Sequence, residues 1–416
     1  MKTTNKQPKN TLDKSTFIGT TPNRKPVLLP DNSKHIFVCG TTGSGKTVAI
    51  SNFIKNCTDK NYPALIIDGK GDVGEGSILD ITKKLSKGRK IYVVNLNDPE
   101  NSDKYNPFAN ATPTIVKDML INMTDWSEEH YKLNTERYLQ RVVNLIYKYN
   151  TPLSFKNIIK VIPTENFIKL SVALLKQELI TKADHQENLE IAKVSGKIAG
   201  SAAARFATIQ ESELGTMFDK SGIDIYSALE ENAIILFVLN PLIYPEISQL
   251  IGRLILIDSK KAVSKLFGNH KRTFFIFDEI ATYSSTAMLD IVNKSRSANV
   301  TCVLSTQSLS DLDSSNGTFF KEQIIENCNN YVVLRQNSSV NAEHWANILG
   351  TRGAMEVTYQ LHQNGFDTRG TGFGSAKRVR EYLYHPDDIK TLKTGRGIYL
   401  SKDSSYHSNI IINKPF

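Results

Sequence analysis

The sequence predicts an α/β fold in which a central, mainly parallel β-sheet is interrupted by an all-α inserted domain. Short apolar runs at His35–Cys39, Ala64–Ile67 and Ile91–Val94 alternate with helical segments, and similar runs return after residue 225. Between about 113 and 220, apolar residues recur instead at helical three- and four-residue steps. Alternating strands and helices are typical of a parallel sheet covered by helices.

In this interpretation the 416 residues form three parts. Residues 1–34 carry seven basic and two acidic side chains and four prolines, which predicts a basic, flexible N-terminal arm. Residues 35–106 and 225–416 form the α/β domain. Residues 107–224 form the all-α inserted domain.

The second half of the α/β domain contains the remaining strand signals. The apolar segment 244–266 predicts a buried helix between the first two of them, and residues 350–376, rich in Gly, Thr and Arg, predict a loop. Two runs near the C-terminus predict edge strands, Gly397–Leu400 and Ser408–Ile412. The other predicted strands are Ala233–Leu239, Thr273–Phe277, Val300–Ser305 and Tyr331–Leu334.

Charge and composition narrow the function classes. Lys and Arg number 51 against 42 Asp and Glu, a net charge of +9 that favours nucleic acid or an acidic membrane surface as a partner. The four cysteines form no C-x-x-C pair, which argues against a zinc site. No stretch approaches the ~20 apolar residues of a membrane span, and the first residues lack the apolar part of a signal peptide. We expect a cytoplasmic protein, or one held at the inner face of the membrane by a partner.

One segment carries a specific chemical signal. The pattern G-x-x-x-x-G-K-[ST] follows a predicted strand and opens a predicted helix, the context expected of a phosphate-binding P-loop. Its backbone N–H groups would surround the phosphates of ATP, Lys46 would reach the β- and γ-phosphates, and Thr47 would bind Mg²⁺. The segment comprises Gly40, Thr41, Thr42, Gly43, Ser44, Gly45, Lys46 and Thr47.

A second segment supplies acidic partners. The run 273–277 is apolar and ends in Asp278-Glu279, the usual Walker B form. Asp278 would hold Mg²⁺ through water, and Glu279 would orient or deprotonate the water that attacks ATP. The alternative is an acidic pair at the start of a helix.

Three further features have two interpretations each. Gln307, at the end of the next strand, would reach the γ-phosphate or would only cap a helix. Arg296 would act as an arginine finger on a neighbouring subunit or would stabilise the end of a helix. The segment 68–72, DGKGD, would lie near the nucleotide or a neighbouring subunit, or would form a solvated turn.

Together, these segments resemble the type IV coupling proteins of the VirD4/TraG/TraD type, within the FtsK and HerA group of RecA-like P-loop motors. The resemblance spans roughly residues 35–400. It rests on GTTGSGKT, DGKGD, YNPF (Tyr105–Phe108), FIFDEIATY, KSRSANVTCVLSTQSLSDL and ENCNNYVVLRQ in this order. The membrane-spanning helices with which such proteins typically begin have no counterpart in this sequence.

The resemblance implies a homo-hexameric ring with ATP bound between subunits and DNA in its channel, gripped without regard to sequence. It implies that Lys46, Thr47, Asp278 and Glu279 form the hydrolytic site, that Gln307 senses the nucleotide and that Arg296 is the finger. The inserted domain would meet a relaxase and its accessory proteins. Either a separate partner supplies the membrane anchor, or the protein is a soluble relative of these proteins.

We therefore predict an ATPase that moves or recruits DNA for conjugative type IV secretion. Three alternatives stay open. The first is a soluble HerA/FtsK-like translocase for repair, defence or packaging. The others are an ATPase that secretes protein and a nucleotide-gated adaptor without turnover.

Overall fold

Strands and helices alternate along most of the chain. The computed structural model describes residues 12–32, 34–126, 128–268, 271–313, 319–364 and 367–416. The strands in these ranges are β1 (Ser15–Thr20), β2 (Pro26–Pro30), β3 (His35–Cys39), β4 (Ala64–Asp68), β5 (Ile91–Asn95), β6 (Ile234–Val238), β7 (Thr273–Asp278), β8 (Val300–Thr306), β9 (Cys328–Val333), β10 (Thr351–Asn364), β11 (Asp367–Tyr382), β12 (Arg396–Ser401) and β13 (Tyr406–Ile412). The helices are α1 (Lys46–Asp59), α2 (Ile78–Leu85), α3 (Pro113–Asn122), α4 (Glu129–Lys148), α5 (Phe155–Val161), α6 (Thr164–Lys176), α7 (Lys182–Glu211), α8 (Ile225–Glu230), α9 (Pro245–Leu266), α10 (Thr286–Lys294), α11 (Phe320–Asn327), α12 (Ser339–Leu349) and α13 (Pro386–Lys390).

One large sheet organises the described residues, in the strand order β2-β1-β13-β12-β9-β3-β8-β7-β4-β6-β5. The seven strands from β9 to β5 run parallel, and β12, β13, β1 and β2 add an antiparallel extension. The predicted mainly parallel α/β sheet is confirmed. Because parallel strands end at one edge, the segments after β3, β4, β7 and β8 lie together there.

Both faces of the sheet are buried. Alternate side chains of each strand point to opposite faces, so each strand contributes to two cores. On β4, Ala64 and Ile66 belong to the core that packs against α1, whereas Leu65 and Ile67 belong to the core on the other face. That second core continues without a break into helices α3 to α7. These helices lie inside the predicted inserted domain 107–224, whose boundaries remain a prediction.

The N-terminal segment differs from the flexible arm expected for residues 1–34. Residues 15–30 form β1 and β2, which extend the large sheet through β13. Their apolar side chains explain the difference, because Ile18, Val27 and Leu29 are buried in the core beside α1. Residues 1–11 lie outside the described residues, so the arm remains a prediction for them alone.

Two predictions about the C-terminal third were also wrong. The expected loop 350–376 lies largely in an antiparallel hairpin of β10 and β11, which have no other strand neighbour among the described residues. The expected edge strands are interior, since β12 lies between β9 and β13 and β13 lies between β12 and β1.

Membrane contact was also a question raised by the sequence. Within the described ranges, none of the helices combines the length and the apolar composition that a bilayer crossing requires.

Candidate nucleotide-binding site

The P-loop connects β3 to α1 and presents free backbone donors at the start of the helix. Gly45 is the N-cap of α1, makes no side-chain capping bond and has φ of 107°. Gly43 has φ of 74°. No acidic residue lies in the first turn of α1. The first N–H groups of α1 therefore have no side-chain acceptor at the N-cap and suit a bound phosphate.

Neighbouring strands hold the first part of this loop. The Gly40 N–H donates to the carbonyl oxygen of Thr306 at 3.3 Å, and the Thr41 N–H donates to that of Arg335 at 3.0 Å. A Cβ added at Gly40 would lie 2.6 Å from the Leu334 Cβ. Only glycine therefore fits between the strand and the loop.

Lys46 and Glu279 form an ion pair beside the loop. The Lys46 Nζ lies 2.7 Å from the Glu279 Oε2, and the two side chains are 11% and 12% exposed. The Glu279 backbone is left-handed, with φ of 49° and ψ of 53°, a conformation that is strained for a non-glycine residue. From this backbone conformation the carboxylate contacts the P-loop lysine, and such outliers often mark functional sites.

Asp278 lies at the end of β7 and is almost fully buried. The Ser305 hydroxyl donates to its Oδ1. Burial raises the pKa of Asp278, and the positive charge of Lys46 opposes this rise. A buried carboxylate close to the P-loop lysine suits a divalent cation, which would restore its ionised form.

The DGKGD segment lies next to this carboxylate. Asp68 ends β4 opposite Asp278 in the parallel register, and it accepts hydrogen bonds from the N–H groups of Lys70 and Gly71. Burial, together with the negative charge of Asp278, raises the pKa of Asp68 to about 7. Asp68 therefore shapes the turn, and it holds a proton more readily than an ordinary carboxyl group does.

Gln307 reaches the P-loop from β8. Its Oε1 accepts a hydrogen bond from the Thr42 hydroxyl at 3.1 Å. The structure thus brings Gln307 to the same place as Lys46, Asp278 and Glu279.

Arg296 lies elsewhere. It is exposed in the short segment before β8, at the amino edge of the sheet, whereas the P-loop follows the carboxyl end of β3. His35, the first residue of β3, is its neighbour. Burial lowers the pKa of His35 to about 4. The positive charge of Arg296 adds to this lowering, whereas a hydrogen bond to the Val292 carbonyl opposes it. Arg296 therefore has no part in the P-loop site of its own subunit.

Sequence reasoning missed one contact. The Thr394 hydroxyl donates to the carbonyl oxygen of Gly43 at 2.9 Å, across 351 positions in sequence. The Gly395 N–H donates to the carbonyl oxygen of Ser44 at 3.0 Å. Two residues between α13 and β12 therefore fix the middle of the P-loop. No motif marks them, so only the structure reveals the contact.

Replacement of Thr394 by valine should weaken ATP binding by about twofold to tenfold, the range expected for one neutral hydrogen bond. The loss follows because the Gly43 carbonyl no longer has its anchor. A titration with a fluorescent ATP analogue measures the effect. Thr391→Val is the matched control, because the Thr391 hydroxyl donates to Asp387 and not to the loop. Equal affinity in both variants would remove any role for Thr394 in ATP binding.

Family models match most of the chain. Residues 27–213 match the central domain of helicase HerA, and residues 272–394 match the TraM recognition site of TraD and TraG. Fold and site thus define a RecA-like P-loop protein. Each model matches less than half of the chain, and together they confirm the predicted resemblance to the HerA, TraD and TraG proteins. This chain is similar to those proteins over both segments. It also belongs to one family with an uncharacterized protein of Mycoplasma pneumoniae, with 33% identity over 101 residues that cover 24% of this chain and 67% of that protein.

Solved structures share the fold. The bacterial conjugative coupling protein TrwBdeltaN70, in an unbound monoclinic form, superposes with a TM-score of 0.71 at 17% identity, over 97% of this chain and 90% of that chain. TrwB in complex with ADP and Mg²⁺ gives a TM-score of 0.65 at 16% identity, over 94% and 88%. VirB4 of Thermoanaerobacter pseudethanolicus gives 0.59 at 11% identity, over 97% of both chains. These likenesses confirm the predicted RecA-like architecture.

Proposed function

We propose that the protein is an ATP-hydrolysing coupling protein that moves or recruits DNA, with a relaxase bound to it, for conjugative type IV secretion. The observation that carries the proposal is the Lys46–Glu279 ion pair, placed beside Asp278 at the mouth of a P-loop. The matches to the TraD and TraG model and to the fold of TrwB support the conjugative role.

The ion pair gives a route from binding to hydrolysis. The phosphates of ATP bind to the N–H groups of the loop, and Lys46 exchanges the Glu279 carboxylate for phosphate oxygens. The released Glu279 then orients or deprotonates the attacking water. Thr47 and Asp278 would hold Mg²⁺, which would supply positive charge to neutralise the phosphate oxygens. Gln307, beside Thr42, is placed to register the state of the γ-phosphate.

This arrangement favours an enzyme over a nucleotide-gated adaptor. A carboxylate that ATP binding sets free has a use only when water attacks the nucleotide. We further propose a homo-hexamer in which Arg296 reaches the P-loop of the adjacent subunit, and an inserted domain that binds the relaxase complex. Cytoplasmic location, with a separate membrane-anchoring partner, is part of the same proposal.

The match to the HerA central domain supports a second candidate, a soluble DNA translocase outside conjugation. The two candidates share the motor chemistry and differ in their partners. Co-purification of the tagged protein with a relaxase would favour the coupling protein, and co-purification with a nuclease would favour the translocase.

The direct test is steady-state ATP hydrolysis without DNA, with single-stranded DNA and with duplex DNA, at low and moderate salt. We expect strong stimulation by DNA that weakens with salt, since the contacts are with phosphates. The Lys46→Ala variant is the negative control, because it lacks the P-loop lysine. Turnover that ignores DNA would point to protein secretion instead, and the absence of turnover would contradict the motor.

A further inference from the structure

The β10–β11 hairpin has two faces of different chemistry. In an antiparallel pair, directly opposed residues share a face. Met355 is opposite Arg378, Val357 is opposite Ala376, and Tyr359 is opposite Gly374. We call the face formed by these six residues and the neighbouring pair Gly353 and Arg380 the cationic face.

All eight residues of the cationic face are exposed, and its charged side chains are all positive. Arg378 and Arg380 are its charged members, and it contains no acidic residue. Its large apolar side chains are unusually open to solvent: Met355 is 59%, Val357 47% and Tyr359 72% exposed. The Arg380 guanidinium is held by Thr351, at 2.8 Å from its hydroxyl and 3.3 Å from its carbonyl oxygen.

The opposite face of the same hairpin is balanced in charge. Arg352 lies opposite Glu381, with 3.7 Å between the charged groups, and Lys377 lies opposite Glu356. A hairpin that was only solvated would not require its unpaired positive charges to lie on one face and its paired charges on the other. The separation makes one face complementary to a polyanion and leaves the other neutral.

We propose that the cationic face binds single-stranded nucleic acid, with Tyr359 stacking on a base and Arg378 contacting phosphate. Arg378 and Arg380 lie two positions apart on β11, so their Cα atoms are about 6.8 Å apart along the strand. At this spacing both side chains can contact phosphates of one nucleic-acid strand. Aromatic rings and cations in one groove are the elements with which proteins bind single strands without reading sequence. A Cβ at Gly374 would lie 2.8 Å from the Thr358 carbonyl oxygen and 3.6 Å from the Tyr359 ring, so glycine at this position leaves the ring uncovered on that side. This inference rests on the proposed function and names the surface by which the chain holds its DNA.

The test uses the full chain and fluorescence anisotropy of a fluorescein-labelled oligothymidylate. We expect Tyr359→Ala to weaken binding by about fivefold to a hundredfold, the range for loss of one stacked base, and Tyr359→Phe to bind as wild type does. Arg378→Gln should lower the salt slope of binding by about 0.7, because one phosphate contact is lost. Lys377→Gln is the matched control, since it removes a neighbouring charge on the other face, and should leave the slope unchanged.

The outcomes separate this inference from the proposed function. If wild-type protein binds the oligonucleotide and Tyr359→Ala and Arg378→Gln bind it equally well, DNA is held elsewhere and the inference is overturned. Such a result would assign the cationic face to a protein partner. If wild-type protein binds no oligonucleotide, the proposed function fails with it. All variants should keep the melting temperature and the DNA-free ATP turnover of wild type, because these side chains are exposed and outside the nucleotide site.

Discussion

Replacement of Glu279 by glutamine should slow ATP hydrolysis by about 10²–10⁴-fold while ATP binds more tightly. Hydrolysis falls because glutamine cannot take a proton from the attacking water. Binding tightens because the carboxylate no longer competes with phosphate for Lys46, whose Nζ lies 2.7 Å from it. The strained backbone at residue 279 is retained, so the shape of the site should not change.

Two measurements check this expectation. Single-turnover hydrolysis gives the rate of the chemical step, and titration with a fluorescent ATP analogue gives the affinity. Asp290→Asn is the control, because Asp290 also pairs with a lysine, Lys260, but lies away from the P-loop. Weaker ATP binding by the Glu279 variant would show that the Glu279 carboxylate does not compete with the ATP phosphates for Lys46. A rate like that of wild type would exclude Glu279 as the base.

Replacement of Arg296 by alanine should leave ATP binding unchanged and lower turnover by about 10³–10⁵-fold, the effect of losing an arginine finger. The structure sharpens this prediction. Arg296 lies at the amino edge of the sheet beside His35, so its own P-loop is out of reach. Any catalytic effect of Arg296 must therefore act on ATP bound to the P-loop of another subunit.

Mixing two inactive variants tests that transfer. Arg296→Ala subunits keep an intact P-loop, and Lys46→Ala subunits keep an intact finger. Mixed rings should regain part of the turnover, because a Lys46→Ala subunit supplies Arg296 to its neighbour. Lys294→Ala, which removes a nearby exposed cation, should behave as wild type. No recovery on mixing, or full activity of Arg296→Ala alone, would reject the finger.

The P-loop and the Asp278–Glu279 pair were predictable because each joins a short motif to a buried strand. Parallel strands then bring such motifs to one edge without further information. The Thr394–Gly395 contact was not predictable, because it joins segments 351 positions apart and involves a hydroxyl and a backbone N–H that occur everywhere.

The errors also have physical causes. In residues 1–34 the basic and polar composition outweighed two short apolar runs, around Ile18 and around Val27 and Leu29, whose side chains are buried against the sheet. The hairpin was predicted as a loop because the segment is rich in Gly, Thr and Arg. The alternation of Met355, Val357 and Tyr359 with polar residues is the strand signal that this composition outweighed.

The base of the hairpin is joined to the P-loop by a short path. Leu383 donates to the Gly350 carbonyl at 2.9 Å and closes the base, and α13 then leads within a few residues to Thr394 and Gly395. In mechanical terms the hairpin would act as a lever, and its base, joined to the P-loop by this short path, would be the fulcrum. With 14 residues in β10, the arm is about 45 Å long. A rotation of about five degrees at the fulcrum displaces its far end by about 4 Å, close to the ~3.4 Å rise of one nucleotide. Under the proposed function, the same tilt would move a strand bound at Tyr359, about 27 Å from the base, by roughly 2.4 Å, which is most of the rise of one base.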